Sequence, residues 1–109
     1  MRTGEIYMAF TKAATVAEIP PGKGKQLTLN GKLIALFHTA SGFYAIDDTC
    51  PHRGASLAEG ELEGTEVVCP WHNAWFDLTT GANLTPPAPK GVGCYKVQVV
   101  GDEVQVDVP

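Results

Sequence analysis

Two short segments constrain this chain more than any others: Cys50-Pro51-His52 and Cys69-Pro70-Trp71-His72. Each brings one thiol and one imidazole within a few residues, so each arm offers a sulfur and a nitrogen ligand to one site. Sixteen residues separate His52 from Cys69, and Gly54, Gly60 and Gly64 are among them. That is enough chain for two loops to face each other across a metal centre. The chain has only three cysteines and three histidines, so four unliganded buried residues would be a poor account of two such units. Two Cys and two His also suit a tetrahedral zinc ion. Zinc motifs of that composition usually pair Cys with Cys and His with His, whereas each arm here is mixed. Mixed arms suit a binuclear iron–sulfur cluster, in which one iron takes both cysteines and the other both histidines.

The rest of the chain reads as short strands broken by turn signals, the pattern of an all-β sandwich or barrel. Met8–Ala13 reads as a first strand, and Pro20-Pro21-Gly22 marks a turn. Gln26–Leu29 and Lys32–Thr39 flank Asn30-Gly31, a strong two-residue hairpin signal. Ser41-Gly42 turns into Phe43–Ile46. Near the C-terminus Tyr95–Val100 and Glu103–Val108 flank Gly101-Asp102. There Tyr95, Val97 and Val99 alternate with Lys96, Gln98 and Val100, which predicts one buried face. Between these parts, 47–89 is rich in Gly, Pro, Cys, His and Trp. In it Thr65–Val68 and Trp75–Leu78 read as strand and Ala55–Leu57 as a single helical turn. The expected organisation is one domain, 1–109, with a β base at about 8–46 and 90–109 and an inserted loop-rich subdomain at about 47–89.

Charge and composition narrow the function. A formal net charge of −4 argues against nucleic acid or an anionic membrane as the main partner. The acids Asp47, Asp48, Glu59, Glu61, Glu63, Glu66 and Asp77 crowd the middle of the chain, where Arg53 is the only base. They form either a solvated face or a docking surface for a basic partner. An odd cysteine count speaks against a closed disulfide framework. The start lacks the pattern of a signal peptide, Met8 is a possible alternative start, and no apolar run reaches membrane-spanning length. A cytoplasmic protein is expected.

The sequence running on from Cys50 (Cys-Pro-His-Arg-Gly-Ala-Ser-Leu) and from Cys69 (Cys-Pro-Trp-His-Asn-Ala-Trp-Phe-Asp-Leu-Thr-Thr-Gly) resembles the Rieske-type ferredoxins of bacterial aromatic-ring dioxygenase systems. It is also similar to the small subunit of NADH-dependent nitrite reductases. The resemblance covers nearly the whole chain. It implies a small antiparallel β-sandwich carrying a cluster-binding subdomain, and one Rieske [2Fe–2S] cluster held by Cys50, His52, Cys69 and His72, the histidines through Nδ1. It implies an electron carrier rather than an enzyme, taking single electrons from a flavin-dependent ferredoxin reductase and passing them to a terminal oxygenase. The alternatives are a subunit of a nitrite-reductase-type complex and a zinc-stapled interaction module. The chain shows no second iron site of the 2-His-1-carboxylate kind that a complete ring-hydroxylating oxygenase needs.

Several departures from related sequences carry chemical meaning. The residue after the second His is usually Gly in this family and here is Asn73, which tolerates positive φ better than most residues. High-potential Rieske subunits of cytochrome bc complexes carry a loop-clipping disulfide, and the matching positions here are Ala55 and Trp71. They also carry Ser and Tyr hydroxyls near the cluster sulfurs, where this chain has Ala74 and Phe76. Hydrogen bonds to sulfur favour the reduced state, so their absence lowers the potential. Together with the nearby acids this places the expected potential near the low end of the Rieske range, roughly −150 to +300 mV. Trp71, Trp75 and Phe76 are expected to pack the subdomain core, and Pro86, Pro87 and Pro89 to form a stiff third loop over the cluster. Cys94 is expected to be a small buried hydrophobe, and His38 to be structural or at the surface.

Overall fold

The computed structural model describes residues 10–51, 54–70, 74–85 and 91–108. Its strands are β1 (Phe10–Thr15), β2 (Lys23–Leu29), β3 (Lys32–Thr39), β4 (Gly42–Asp47), β5 (Leu62–Glu63), β6 (Glu66–Val68), β7 (Trp75–Asp77), β8 (Cys94–Tyr95), β9 (Val97–Val100) and β10 (Glu103–Asp107). They form three sheets, with orders β1-β10-β9, β2-β3-β4-β8 and β5-β6-β7. Every pairing is antiparallel.

The centre of the architecture is β3, which is buried on both faces. Period-two alternation sends Ile34 and Leu36 to one side and Ala35 and Phe37 to the other, and all four are fully inaccessible. Ile34 and Leu36 join Ala14, Leu29, Val104 and Val106 in the sandwich core between the first two sheets. Ala35 and Phe37 join Leu57, Val67, Phe76 and the two motif cysteines in a second core, beneath the small third sheet. A buried Leu, Ile or Phe contributes roughly 1.5–3 kcal/mol, so β3 alone ties both cores into one folding unit.

The turn chemistry is where the sequence places it. Asn30 and Gly31 have φ of 51° and 80°, the left-handed pair that a two-residue hairpin requires. The Asn30 amide then donates to the Val108 carbonyl at 2.9 Å and fastens this hairpin to the chain just past β10. Strand β2 starts three residues earlier than the apolar pattern suggests, because Lys23, Gly24 and Lys25 pair with His38, Phe37 and Leu36.

Three expectations need correction. The stretch Tyr95–Val100 is not one strand. Tyr95 pairs with Ala45 of β4, whereas Val97 pairs with Val106 of β10, so the chain changes sheets at Lys96. The buried alternation reaches Val97 and fails at Val99, which is 47% exposed because β9 is an edge strand whose end lies outside the sandwich core. The helical turn expected at Ala55–Leu57 is a 3-10 turn at Leu57–Glu59. Ser56 bridges to Thr49 and the Ala55 carbonyl accepts from Cys50, which holds both residues extended and delays the turn. Strand β5 is additional, and its signal was Gly64, whose φ of 61° makes the β5–β6 turn. Among the described residues no helix is long and apolar enough to cross a membrane.

Candidate metal centre

The two cysteine arms fold into loops with the same closure. Thr49 pairs with Ser56 across the first, and Val68 with Trp75 across the second. Six residues lie between the paired ends in each case, 50–55 and 69–74. The Cys50 N–H donates to the Ala55 carbonyl at 2.9 Å, and the Cys69 N–H to the Ala74 carbonyl at 2.7 Å. In the first loop Gly54, with φ of 76°, also donates to the Cys50 carbonyl at 2.9 Å. The left-handed turn at Gly54 is what reverses the chain there.

Both cysteines are buried, at 1% and 0% exposure, and share one apolar cluster with Ala55, Ala74 and Phe76. Two thiols on matched loops in a water-excluded pocket suit a thiophilic metal, because thiolates buried in apolar surroundings need a positive centre beside them. The residues present therefore fit an iron–sulfur group. The other two expected ligands, His52 and His72, lie outside the described residues, as do Arg53, Trp71, Asn73, Pro86, Pro87 and Pro89.

Among the described residues, the side chains packed with the cysteines are apolar. Ala55, Ala74 and Phe76 have no hydroxyl, and the backbone N–H groups of Cys50, Cys69 and Gly54 are directed at carbonyls. Phe76 is fully buried, which supports its packing role, and Trp75 is half-buried. Segment 83–85, leading to Pro86, is fastened beside the second loop. The Trp75 N–H donates to Thr85 Oγ1 at 2.7 Å, and the Leu84 N–H to the Trp75 carbonyl at 2.8 Å.

Two aspartates at the exit from β4 have structural duties that the charge pattern concealed. Asp48, expected on an acidic face, is 1% exposed. Its Oδ2 accepts from Gln26 Nε2 at 2.6 Å, and its Oδ1 from Ser56 Oγ at 2.8 Å and the Ala58 N–H at 3.0 Å. Asp47 accepts from the Gly93 N–H at 2.7 Å and the Tyr95 hydroxyl at 2.5 Å. It thereby joins the strand that leaves the base to the one that returns. Burial and the Asp47 carboxylate push the Tyr95 phenol up to about 12. Of the seven mid-chain acids, Glu59, Glu61, Glu63 and Glu66 are exposed.

Cys94 also departs from expectation. It is an exposed residue rather than a buried hydrophobe. Its sulfur alone is partly covered by the 78–79 backbone, donating to the Thr79 carbonyl at 3.4 Å and the Leu78 carbonyl at 3.7 Å. That covering, together with Asp77, pushes the thiol up. His38 is structural: its Nδ1 donates to the Ile19 carbonyl at 2.7 Å, and its ring stacks on Phe43 with centroids 4.1 Å apart.

The family model for the Rieske [2Fe-2S] domain matches residues 9–96. The chain belongs to the Rieske [2Fe–2S] family. Its all-β antiparallel architecture is the Rieske fold, and the family's cofactor is the [2Fe–2S] cluster. The chain is 36% identical over 96 residues to the ferredoxin component of the naphthalene 1,2-dioxygenase system of Pseudomonas aeruginosa, covering 88% of this chain and 92% of that one. It is 41% identical over 98 residues to a 3-phenylpropionate/cinnamic acid dioxygenase ferredoxin subunit of Shigella flexneri, covering 89% and 92%. Among solved structures it matches a complex of reduced oxygenase and oxidized ferredoxin in carbazole 1,9a-dioxygenase, with a TM-score of 0.82, 31% identity and 93% and 94% coverage.

Proposed function

We propose that this Rieske protein is the ferredoxin of an aromatic-ring dioxygenase system, carrying single electrons to a terminal oxygenase. The observation that carries this reading is the near full-length likeness to dioxygenase ferredoxin components. Cys50, His52, Cys69 and His72 would hold the cluster, the cysteines on one iron and the histidines on the other, and the equal closure of the two cysteine loops supports the cysteine half of this assignment. The bound cluster supplies a one-electron couple, and the chain transforms no substrate itself. The protein's part is to hold the two thiolates rigidly, exclude water from them, and withhold hydroxyl donors. The donor-poor wall at Ala55, Ala74 and Phe76 supports a potential near the low end of the Rieske range.

The electron donor is a flavin-dependent ferredoxin reductase, the encounter with each partner is transient, and the setting is cytoplasmic. Reconstitution with candidate reductases and oxygenases tests the reading, with electron flow as the readout. Flow to an oxygenase is expected. Co-purification in a permanent reductase complex would instead support the nitrite-reductase-type subunit, and a colourless, zinc-containing protein would overturn the cluster assignment altogether.

A further inference from the structure

Asp48 stands two residues before Cys50 and is 1% exposed. Its carboxylate and backbone join three parts of the molecule. Oδ2 takes the Gln26 amide of β2, and Oδ1 takes Ser56 Oγ and the Ala58 N–H at the far end of the first cysteine loop. The Asp48 N–H donates to the Leu33 carbonyl at 3.1 Å, and its carbonyl accepts from the Leu57 N–H at 2.7 Å. The loop is thus clamped at both ends by one residue. All three side-chain partners are neutral and all three donate, a pattern that the acceptor-only ionised carboxyl satisfies. The ion pairs recorded among the described residues are Lys12–Glu103 and Lys25–Glu18, and neither involves Asp48.

A buried charge acts on its surroundings far more than a solvated one, because neither water nor salt screens it, and no ion pair to Asp48 is found among the described residues. We propose that Asp48 is a positioning residue for the first ligand loop and that its buried carboxylate holds the cluster's reduction potential down. The inference rests on the proposed assignment of Cys50 as a ligand. Adding an electron beside a fixed negative charge is disfavoured, so neutralising that charge raises the potential. The exposed Glu63 has the same formal charge and is solvated, so it serves as the comparison.

The test is an equilibrium redox titration of the cluster-loaded protein, with iron content and thermal midpoint measured on the same samples. In Asp48→Asn the two acceptor bonds to Ser56 and Ala58 persist, and a flip of the Gln26 amide restores the third. The reduced-to-oxidised ratio at fixed potential should rise threefold or more, about 28 mV at 59 mV per tenfold. Glu63→Gln should move it by less than half of that. Gln26→Lys gives an independent route, because it sets an ammonium beside Oδ2 from an exposed strand position while Asp48 keeps its other partners. It too should raise the ratio threefold or more, whether or not Asp48→Asn folds. An unmoved potential in the Gln26→Lys protein, with iron content and EPR signal intact, overturns the inference, as does a shift no larger than that of Glu63→Gln. A clamp that is only structural would lower the thermal midpoint and leave the potential in place. Failure of the ligand assignment shows separately, as a wild-type protein without iron or a Rieske spectrum.

Discussion

At Tyr95 and Asp47 one side-chain hydrogen bond joins the strand that leaves the base to the strand that returns. Asp47 receives both the phenol and the Gly93 N–H. The phenol's folded value of about 12 stands above the ordinary value of about 10, so the fold favours its neutral form. The unfolded chain loses this proton near pH 10, while the folded chain keeps it to about 12. The contribution is therefore complete below about pH 10 and disappears as pH rises through the folded value. Solvent reaches part of the ring, so the effect is modest. Thermal midpoints at pH 9 and 11 should fall further for the wild type than for Tyr95→Phe, and equal losses would count against this clasp. A second residue-scale prediction concerns Gly60. A Cβ there would stand 2.0 Å from the Val68 carbonyl oxygen, one residue before Cys69. Backbone cannot retreat as a flexible side chain can, so Gly60→Ala should cost at least about 1–3 kcal/mol in denaturant melts. It should also reduce iron retention by displacing the second loop.

The pair of six-residue loops is the element that matters for function. In each, a backbone bond from the Cys N–H to an alanine carbonyl closes the loop ends, and that alanine shares the apolar cluster with the cysteines. Ala74 is 5% exposed and shares its cluster with Cys69, so Ala74→Ser brings a hydroxyl into the pocket with little added volume. That donor should raise the midpoint potential, measured by redox titration, because hydrogen bonds to sulfur stabilise the reduced state. A lower or unchanged midpoint would remove the donor-poor wall as the cause of a low potential. The cysteine arms and the Asn30-Gly31 turn were legible in the sequence, because each depends on local spacing. The change of sheets at Lys96 was not, since Tyr95, Val97 and Val99 keep strand alternation while their partners change from β4 to β10. Asp48 was illegible for a similar reason. Its neighbour Asp47 and the glutamates made it read as surface charge, and only the fold brings Gln26, Ser56 and Ala58 around it.

Over the whole molecule, the seven mid-chain acids separate into Asp47 and Asp48, which fasten the exit from β4, Asp77, which holds the turn at Thr79, and four glutamates that face solvent. In the small sheet Glu63 stands directly opposite Glu66, and Glu66 directly opposite Asp77, so three carboxylates form one row across β5, β6 and β7. Asp77 is held ionised by the hydroxyl and N–H of Thr79, which keep its carboxyl below the usual value. Like charges directly opposite each other cost roughly 0.2–1 kcal/mol per pair, so this row opposes folding. As a docking surface, a negative face beside the second cysteine loop would raise the encounter rate with a basic partner at low salt. Stability and function should therefore respond to Glu66→Gln with opposite signs. The variant relieves both pairs and should be more stable by about 0.4–2 kcal/mol. It should also pass electrons to the terminal oxygenase more slowly, by roughly twofold or more at low ionic strength. The two proteins should converge near 1 M salt, where the screening length falls to about 3 Å. Urea melts and stopped-flow rates against salt concentration measure both halves. A variant that gains stability while keeping the wild-type rate and salt slope would mark the row as an ordinary solvated face.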